Sequence, residues 1–235
     1  SGVSERERWT VGSASLARLS VPRMARRGLG ALLVVLGAIT VCLANPDLDR
    51  VVELAREHYG IHAAQTVDTW RDLVETNRDL PELEKLELVN TFFNHNVDFE
   101  PDALVWGRTD YWATPLETLG RGQGDCEDYS IGKYVTLGLL GVPIERLRIT
   151  YVRAETGLPG SGVVQAHMVL AYYPEPGAEP LILDNLVGQL RRASHRPDLK
   201  PVFGFNSEGL WVAGKKALAD PTARLSRWRD LLRRM

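Results

Sequence analysis

Residues 112–134 read WATPLETLGRGQGDCEDYSIGKY. The first half is predicted to be a loop free of helix, because glycines interrupt it at Gly120, Gly122 and Gly124. A helix is predicted to follow, with Asp125 as its N-cap, and to end before Gly141 and Pro143. Cys126 would then lie at the N-terminus of this helix. That position lowers the pKa of a thiol and presents the sulfur to a reacting carbonyl.

The composition of the chain is that of an ordinary globular protein. It has 235 residues, of which 44% are hydrophobic and 25% are charged. This is enough chain to bury one sizeable core. The formal net charge is −2, so we expect no nucleic acid among the partners.

A targeting segment is predicted before the globular part. Arginines precede the apolar run at 29–44, LGALLVVLGAITVCLA, which ends in small residues, as secretory signal peptides do. The run is shorter than the roughly 20 apolar residues of a membrane-spanning helix, so an uncleaved anchor is the weaker alternative. We therefore predict an N-terminal extension and signal peptide at 1–44 and one mature domain at 45–235. Because Met24 directly precedes this signal, one hypothesis is that the natural protein starts there; the sequence leaves open whether residues 1–23 belong to it.

Signal cleavage would leave Cys126 as the remaining cysteine, because Cys42 lies within the removed segment. A lone thiol in an exported protein has no disulfide to form, which makes it a candidate nucleophile. The alternative is a small buried apolar side chain, since free cysteines are often buried.

The order of the predicted elements indicates an α+β fold. Helical patterns fill residues 46–96, and the cysteine helix follows them. Strands are then predicted at 147–152, 163–173 and 181–186, with a last strand or hairpin at 203–212. The segment 220–235 is predicted to be an amphipathic tail helix. We therefore expect a helical N-terminal lobe and a cysteine-bearing helix packed on an antiparallel sheet.

Two polar residues interrupt the predicted apolar strands. His167 and Asp184 would each lose hydration at a cost in free energy unless they found a partner. If their strands are adjacent, Asp184 accepts a hydrogen bond from one ring nitrogen of His167, and the other ring nitrogen faces Cys126. This arrangement supplies a nucleophile, a base and an orienting carboxylate. The alternative is a structural His–Asp pair. His195 is a poorer base, because its segment is polar and turn-like.

Negative charge surrounds the predicted nucleophile. Asp125, Glu127 and Asp128 flank Cys126, and their charge raises the pKa of a thiol and opposes thiolate formation. A hard divalent cation bound by these oxygens would cancel that charge, and calcium is the natural candidate outside the cytoplasm. The alternative is a set of solvated carboxylates stabilised by the helix dipole. The spacing is not that of an EF-hand.

Three sequence blocks together resemble one family. The blocks are GDCEDY at 124–129, AHMVLAYY at 166–173 and LDNL at 183–186. The chain closely resembles the LapG-type periplasmic cysteine proteases, which are bacterial transglutaminase-like cysteine proteinases. The resemblance implies a papain-like or transglutaminase-like fold.

The resemblance also implies a role for each candidate site residue. It makes Cys126 the nucleophile, His167 the general base and acid, and Asp184 the orienting carboxylate. The residues that match the calcium-binding carboxylates of the family are Asp125, Glu127 and Asp128. Trp112 could be a second oxyanion donor or a wall of the cleft, although core packing is favoured.

Substrate, location and regulator are further implications of this resemblance. The substrate would be a large surface adhesin, cut near its N-terminus at a site containing paired alanines, so that its release promotes biofilm dispersal. The enzyme would be periplasmic, with no stable membrane span after signal cleavage. Its inhibitor would be a LapD-type inner-membrane receptor that sequesters the protease when its cytoplasmic part binds cyclic di-GMP.

Two other classes of function fit the same residues. One is a transglutaminase-like acyl transferase or a cell-wall amidase, which would incorporate amines or cut muropeptides. The other is a non-catalytic calcium-binding module, in which the Cys126 thiol is inert and His167 matters only for stability.

Overall fold

The computed structural model describes residues 47–157, 162–212, 215–217 and 220–235. The predictions for the signal segment and for Cys42 lie outside these residues. Within the described ranges, none of the helices combines the length and the apolar character needed to cross a bilayer.

The N-terminal part of the described chain is helical, as predicted. It contains α1 (Leu48–Tyr59), α2 (Ile61–Thr76) and α3 (Glu82–Asn96). A short strand, β1 (Asp98–Phe99), and a single helical turn, α4 (Asp102–Val105), follow them. The helical lobe therefore ends in a segment of short elements.

A helix, α5 (Pro115–Arg121), occupies part of the stretch that was predicted to be a loop, so that prediction is wrong at Gly120. The cause is a capping box, in which the Thr114 hydroxyl accepts from the Glu117 N–H and the Glu117 carboxylate accepts from the Thr114 N–H. Gly120 serves packing instead, because a Cβ there would lie 2.5 Å from the ring of Tyr59.

The cysteine helix, α6 (Cys126–Leu139), begins where the sequence predicted. Its N-cap is Asp125, whose side chain accepts from the Glu127 N–H, while Asp128 accepts from the Asp125 N–H. The two-residue strand β2 (Gln123–Gly124) precedes the helix and pairs with β1 in parallel. The β1–β2 pairing therefore fixes the chain before Cys126, and the capping hydrogen bonds fix the residues after it.

In the described part of the chain, seven strands form one antiparallel sheet in the order β6-β5-β4-β3-β7-β8-β9. The strands are β3 (Leu147–Glu155), β4 (Val164–Tyr172), β5 (Leu181–Leu183), β6 (Arg191–Arg192), β7 (Leu199–Phe205), β8 (Leu210–Val212) and β9 (Lys215–Ala217). The predicted pairing of the His167 strand with the Asp184 segment is confirmed, because Leu170 lies opposite Leu183. The architecture is the expected α+β fold.

The two faces of β4 serve different cores. Met168, Leu170 and Tyr172 belong to the main core, which lies between the sheet and the helices. Val169 and Ala171 belong to a smaller apolar cluster on the other face. Because side chains alternate along a strand, His167 shares the face of this smaller cluster.

The tail is two short helices, α7 (Pro221–Arg224) and α8 (Ser226–Leu232), rather than the single predicted helix. The break is at Leu225, whose backbone is extended, with φ −109° and ψ 95°. Trp228 is completely buried between Tyr134 and Phe205. Burial of the tail side chains in the core therefore outweighs the local preference for one continuous helix.

Candidate active site

Two of the predicted catalytic residues line the same cavity. Cys126 at the start of α6 and His167 in β4 both face a cavity of about 280 Å³. The remaining lining residues are Phe99, Pro101, Asp125, Glu127, Tyr151, Gln165, Ala166, Met168 and Leu186. Asp184 is almost completely buried, at 2% exposure.

His167 and Asp184 form a buried pair. The distance from His167 Nε2 to Asp184 Oδ1 is 2.8 Å, and the backbone N–H of Leu186 donates to the same oxygen at 3.1 Å. Burial alone would raise the pKa of Asp184, but the hydrogen bond and charge of His167, with the Leu186 N–H, lower it to about 2. The carboxylate is therefore ionised and can orient the imidazole.

Arg196 also contacts the buried carboxylate, and the sequence analysis missed it. Its Nη1 lies 2.8 Å from Asp184 Oδ2, as an ion pair rather than an aligned hydrogen bond. No spacing rule marks this residue. The one available signal was physical: a buried carboxylate in an apolar strand calls for a cation as well as a histidine.

The thiol of Cys126 is engaged by its neighbours. Sγ donates a hydrogen bond to Glu127 Oε2 at 2.8 Å and accepts one from the Met168 N–H. Burial, followed by the negative charge of Glu127, raises the pKa of this thiol far above its usual range. Without a bound cation, these effects outweigh the predicted influence of the helix N-terminus.

The predicted acidic residues fall into two groups rather than one. Oxygens of Asp102, Asp125 and Asp128 lie within 4.8 Å of one another, and Asp125 also belongs to a second such group with Cys126 and Glu127. The side chains of consecutive helical residues point about 100° apart. Glu127 therefore points towards the Cys126 thiol, whereas Asp128 points towards Asp102 and Asp125. Asp128 accepts from the Ala113 N–H at 2.7 Å.

The donor set of the first group suits a hard cation. Burial is the main cause that raises the pKa of Asp102 to about 6, of Asp125 to about 9 and of Asp128 to about 8. Asp102 Oδ1 is buried and has no hydrogen-bond partner among the described residues. Crowded carboxylates of this kind require either protons or a cation, and oxygen ligands are those preferred by calcium. Asp102 was missed because it lies far from the GDCEDY block in sequence.

Two other residues considered from the sequence have different roles. The Trp112 indole stacks on Phe205 at 5.5 Å, and its Nε1 donates to Asp110 Oδ1 at 3.1 Å, so it packs in the core rather than offering an oxyanion donor. It also lines a second cavity, which shares Glu127 and three further residues with the first. His195 is exposed at the end of a 3₁₀ turn.

A cysteine at the start of a buried helix, beside an antiparallel sheet with a His–Asp pair, defines the class of transglutaminase-like cysteine hydrolases. The family model for the bacterial transglutaminase-like cysteine proteinases (BTLCP) matches residues 61–197. The chain belongs to this family.

Solved structures of LapG from Legionella pneumophila are similar to this chain. One is 41% identical in sequence, covers 80% of this chain and 96% of its own, and superposes with a TM-score of 0.68. A calcium-bound structure of that protein gives 41% identity, 80% and 98% coverage and a TM-score of 0.68. An EGTA-treated structure of the same protein is 40% identical, covers 80% of this chain and 96% of its own, and has a TM-score of 0.69. The comparison with curated protein sequences gave no significant match.

Proposed function

We propose that this protein is a calcium-dependent periplasmic cysteine endopeptidase that cleaves the N-terminal region of a large surface adhesin near a di-alanine site. Release of the adhesin would promote biofilm dispersal. The observation that carries the proposal is the His167–Asp184 pair, which lies at 2.8 Å beside the cavity that also contains Cys126. The family and the resemblance to LapG-type proteases support the choice of substrate.

The proposed mechanism follows from the hydrogen bond between His167 and Asp184. Asp184 accepts a hydrogen bond from the Nε2–H of His167, which leaves Nδ1 as the basic nitrogen. His167 removes the proton of Cys126, and the sulfur attacks a peptide carbonyl to form an acyl-enzyme. The backbone N–H of Cys126 stabilises the oxyanion, His167 protonates the leaving amine, and water then hydrolyses the acyl-enzyme.

Calcium is the proposed cofactor. Asp102, Asp125 and Asp128 would hold it, with Glu127 as a further oxygen donor close by. The bound cation supplies positive charge that compensates the carboxylates around the thiol. The calcium-bound structure of Legionella pneumophila LapG supports this choice of ion.

The proposed regulator is a LapD-type inner-membrane receptor that sequesters the protease when cyclic di-GMP binds its cytoplasmic part. The resemblance to LapG-type proteases is the support for this partner. A pull-down with the periplasmic part of such a receptor tests it, because the two proteins should co-purify.

Cleavage of the N-terminal portion of a large adhesin from the same genome tests the function. Purified protein should make a single cut that requires both calcium and Cys126, so chelator or Cys126→Ala should each abolish it. Glu145→Gln, an exposed change, should cut like the unmodified protein. A cut that survives chelation would remove calcium from the proposal.

The same samples separate the alternatives. Incorporation of a labelled amine without fragment release would identify an acyl transferase, and cleavage of muropeptides instead of the adhesin would identify an amidase. If the protein catalyses none of these reactions and His167→Ala affects only its stability, the result would identify a calcium-binding module.

A further inference from the structure

Arg196 is a buried cation placed behind the candidate catalytic centre. Its side chain is only 5% exposed, and its Nη1 lies 2.8 Å from Asp184 Oδ2. His167 Nε2 contacts the other oxygen of that carboxylate, Asp184 Oδ1. A guanidinium loses hydration at a high cost in free energy when it is buried, so this position needs a compensating interaction.

A second carboxylate fixes the orientation of Arg196. Its Nε donates to Asp198 Oδ1 at 3.0 Å, and its Nη2 donates to Asp198 Oδ2 at 2.8 Å. This two-point contact holds the plane of the guanidinium, because both groups are flat and rigid. The remaining nitrogen, Nη1, is thereby directed at Asp184.

Asp184 is held at its other atoms as well. Its Oδ1 accepts from the Leu186 N–H, and its main-chain oxygen accepts from Asn94 Nδ2 at 2.8 Å. Lys133 Nζ in turn donates to Asn94 Oδ1 at 2.8 Å. These contacts fix the backbone of Asp184 and one carboxylate oxygen, whereas Arg196 is placed to fix the second oxygen.

We propose that Arg196 is a positioning residue that sets the rotation of the Asp184 carboxylate, so that Oδ1 faces His167 Nε2. The inference rests on the proposed function. Asp184 Oδ2 is buried and has no aligned hydrogen-bond partner among the described residues, so without Arg196 it would also lose the cation that lies at ion-pair distance. The carboxylate would then rotate to share its oxygens between the remaining donors, and the imidazole would lose its fixed orientation.

The test uses Arg196→Ala and Arg196→Gln with three readouts that need no substrate. These are the rate of Cys126 alkylation by iodoacetamide with calcium present, the downfield proton NMR signal of a carboxylate-bound imidazole N–H, and the melting temperature. Arg146→Ala is the control for loss of an arginine–carboxylate pair away from the site, because Arg146 Nη1 donates to both carboxylate oxygens of Glu82.

We expect both Arg196 variants to lose the downfield signal and to alkylate Cys126 at least about tenfold more slowly, whereas Arg146→Ala keeps both properties. Millimolar guanidinium should restore the signal and the rate in Arg196→Ala, because the small cation can occupy the vacated space. Arg196→Lys should not restore them, because one ammonium cannot reproduce the planar contact with two carboxylates.

An Arg196→Gln protein that melts at a lower temperature but keeps the downfield signal and the alkylation rate would overturn the proposal. If Arg196→Ala does not fold, Arg196→Gln decides the result in the same way. The proposed function can fail separately. A His167→Ala variant that alkylates Cys126 at the rate of the unmodified protein would refute the Cys–His mechanism. The NMR signal of proteins that keep His167 would still report on Arg196.

Discussion

At the scale of single residues, the thiol of Cys126 is restrained by its own neighbours. Burial and the negative charge of Glu127 raise the thiol pKa, and the Glu127 carboxylate accepts a hydrogen bond from the thiol at 2.8 Å. A protein in this state should be a poor nucleophile until the surrounding negative charge is compensated. Glu127 is therefore a candidate for coupling the cation to the reactivity of Cys126.

Glu127→Gln should make Cys126 more reactive in the presence of chelator. The change removes a negative charge that raises the pKa of the thiol, and each unit by which that pKa falls gives about tenfold more thiolate. Iodoacetamide should therefore alkylate Cys126 about tenfold faster than in the unmodified protein. Glu145→Gln is the control for a lost surface charge, and an unchanged rate in Glu127→Gln would contradict the prediction.

At the scale of elements, α6 depends on close approach to its neighbours. A Cβ on Gly132 would lie 2.3 Å from the ring of Phe93, so this glycine is what lets α3 pack against α6. The glycines of this region therefore serve helix packing as well as chain turning. Their effect on stability is decided by the partner helix rather than by helix propensity.

Gly132→Ala should destabilise the protein, although alanine is the better helix former by about 1 kcal/mol. Forcing a methyl group against the Phe93 ring costs about 1–3 kcal/mol in packing strain, so we expect a net loss of unfolding free energy. Urea denaturation measures it. Gly138→Ala in the same helix is the control, because its Cβ would meet the mobile end of Ile144 at 3.1 Å. Equal effects at both positions would argue against the packing explanation.

At the scale of the whole molecule, the carboxylate cluster joins segments that are distant in sequence. Asp102 begins α4, whereas Asp125 and Asp128 belong to the start of α6. Asp128 also accepts from the Ala113 N–H, which links the segment before α5 to the same cluster. The ionisation of this cluster should therefore affect the stability of the fold as well as the site.

The melting temperature in chelator should fall as the pH rises from 5 to 7. Burial is the main cause that raises the pKa of Asp102 to about 6, of Asp125 to about 9 and of Asp128 to about 8. Unfolded carboxyl groups lose their protons near pH 4, so in this window the folded state binds more protons and loses stability as the pH rises. Burial lowers the pKa of Lys133 to about 7, which opposes the trend only at higher pH.

Calcium should reverse this dependence, because the cation displaces the protons and binds the folded state. Thermal unfolding at several pH values, with calcium and with EGTA, measures both effects. Asp102→Asn should reduce the slope in chelator, since it removes one of the titrating groups. A melting temperature that stays level or rises from pH 5 to 7 in EGTA would contradict the prediction.

The sequence by itself determined the local features of this protein. The Asp125 cap placed the start of α6 at Cys126, and the β-branched and aromatic residues placed the strand that carries His167. The strand predicted at 181–186 ends at Leu183, so Asp184 lies directly after it. The cost of leaving these two polar residues unpaired predicted their contact. Such features are legible in sequence because capping, periodicity and desolvation each depend on a residue and its near neighbours.

Only the tertiary structure decided which distant groups join the site. It brought Asp102 to the carboxylate cluster, placed Arg196 against Asp184, and turned Glu127 away from Asp128 towards the thiol. It also decided why residue 120 is a glycine, because the Tyr59 ring fills the space where a side chain would stand. These outcomes depend on where separate segments pack in space, and the burial that raises or lowers each pKa exists only once they have packed.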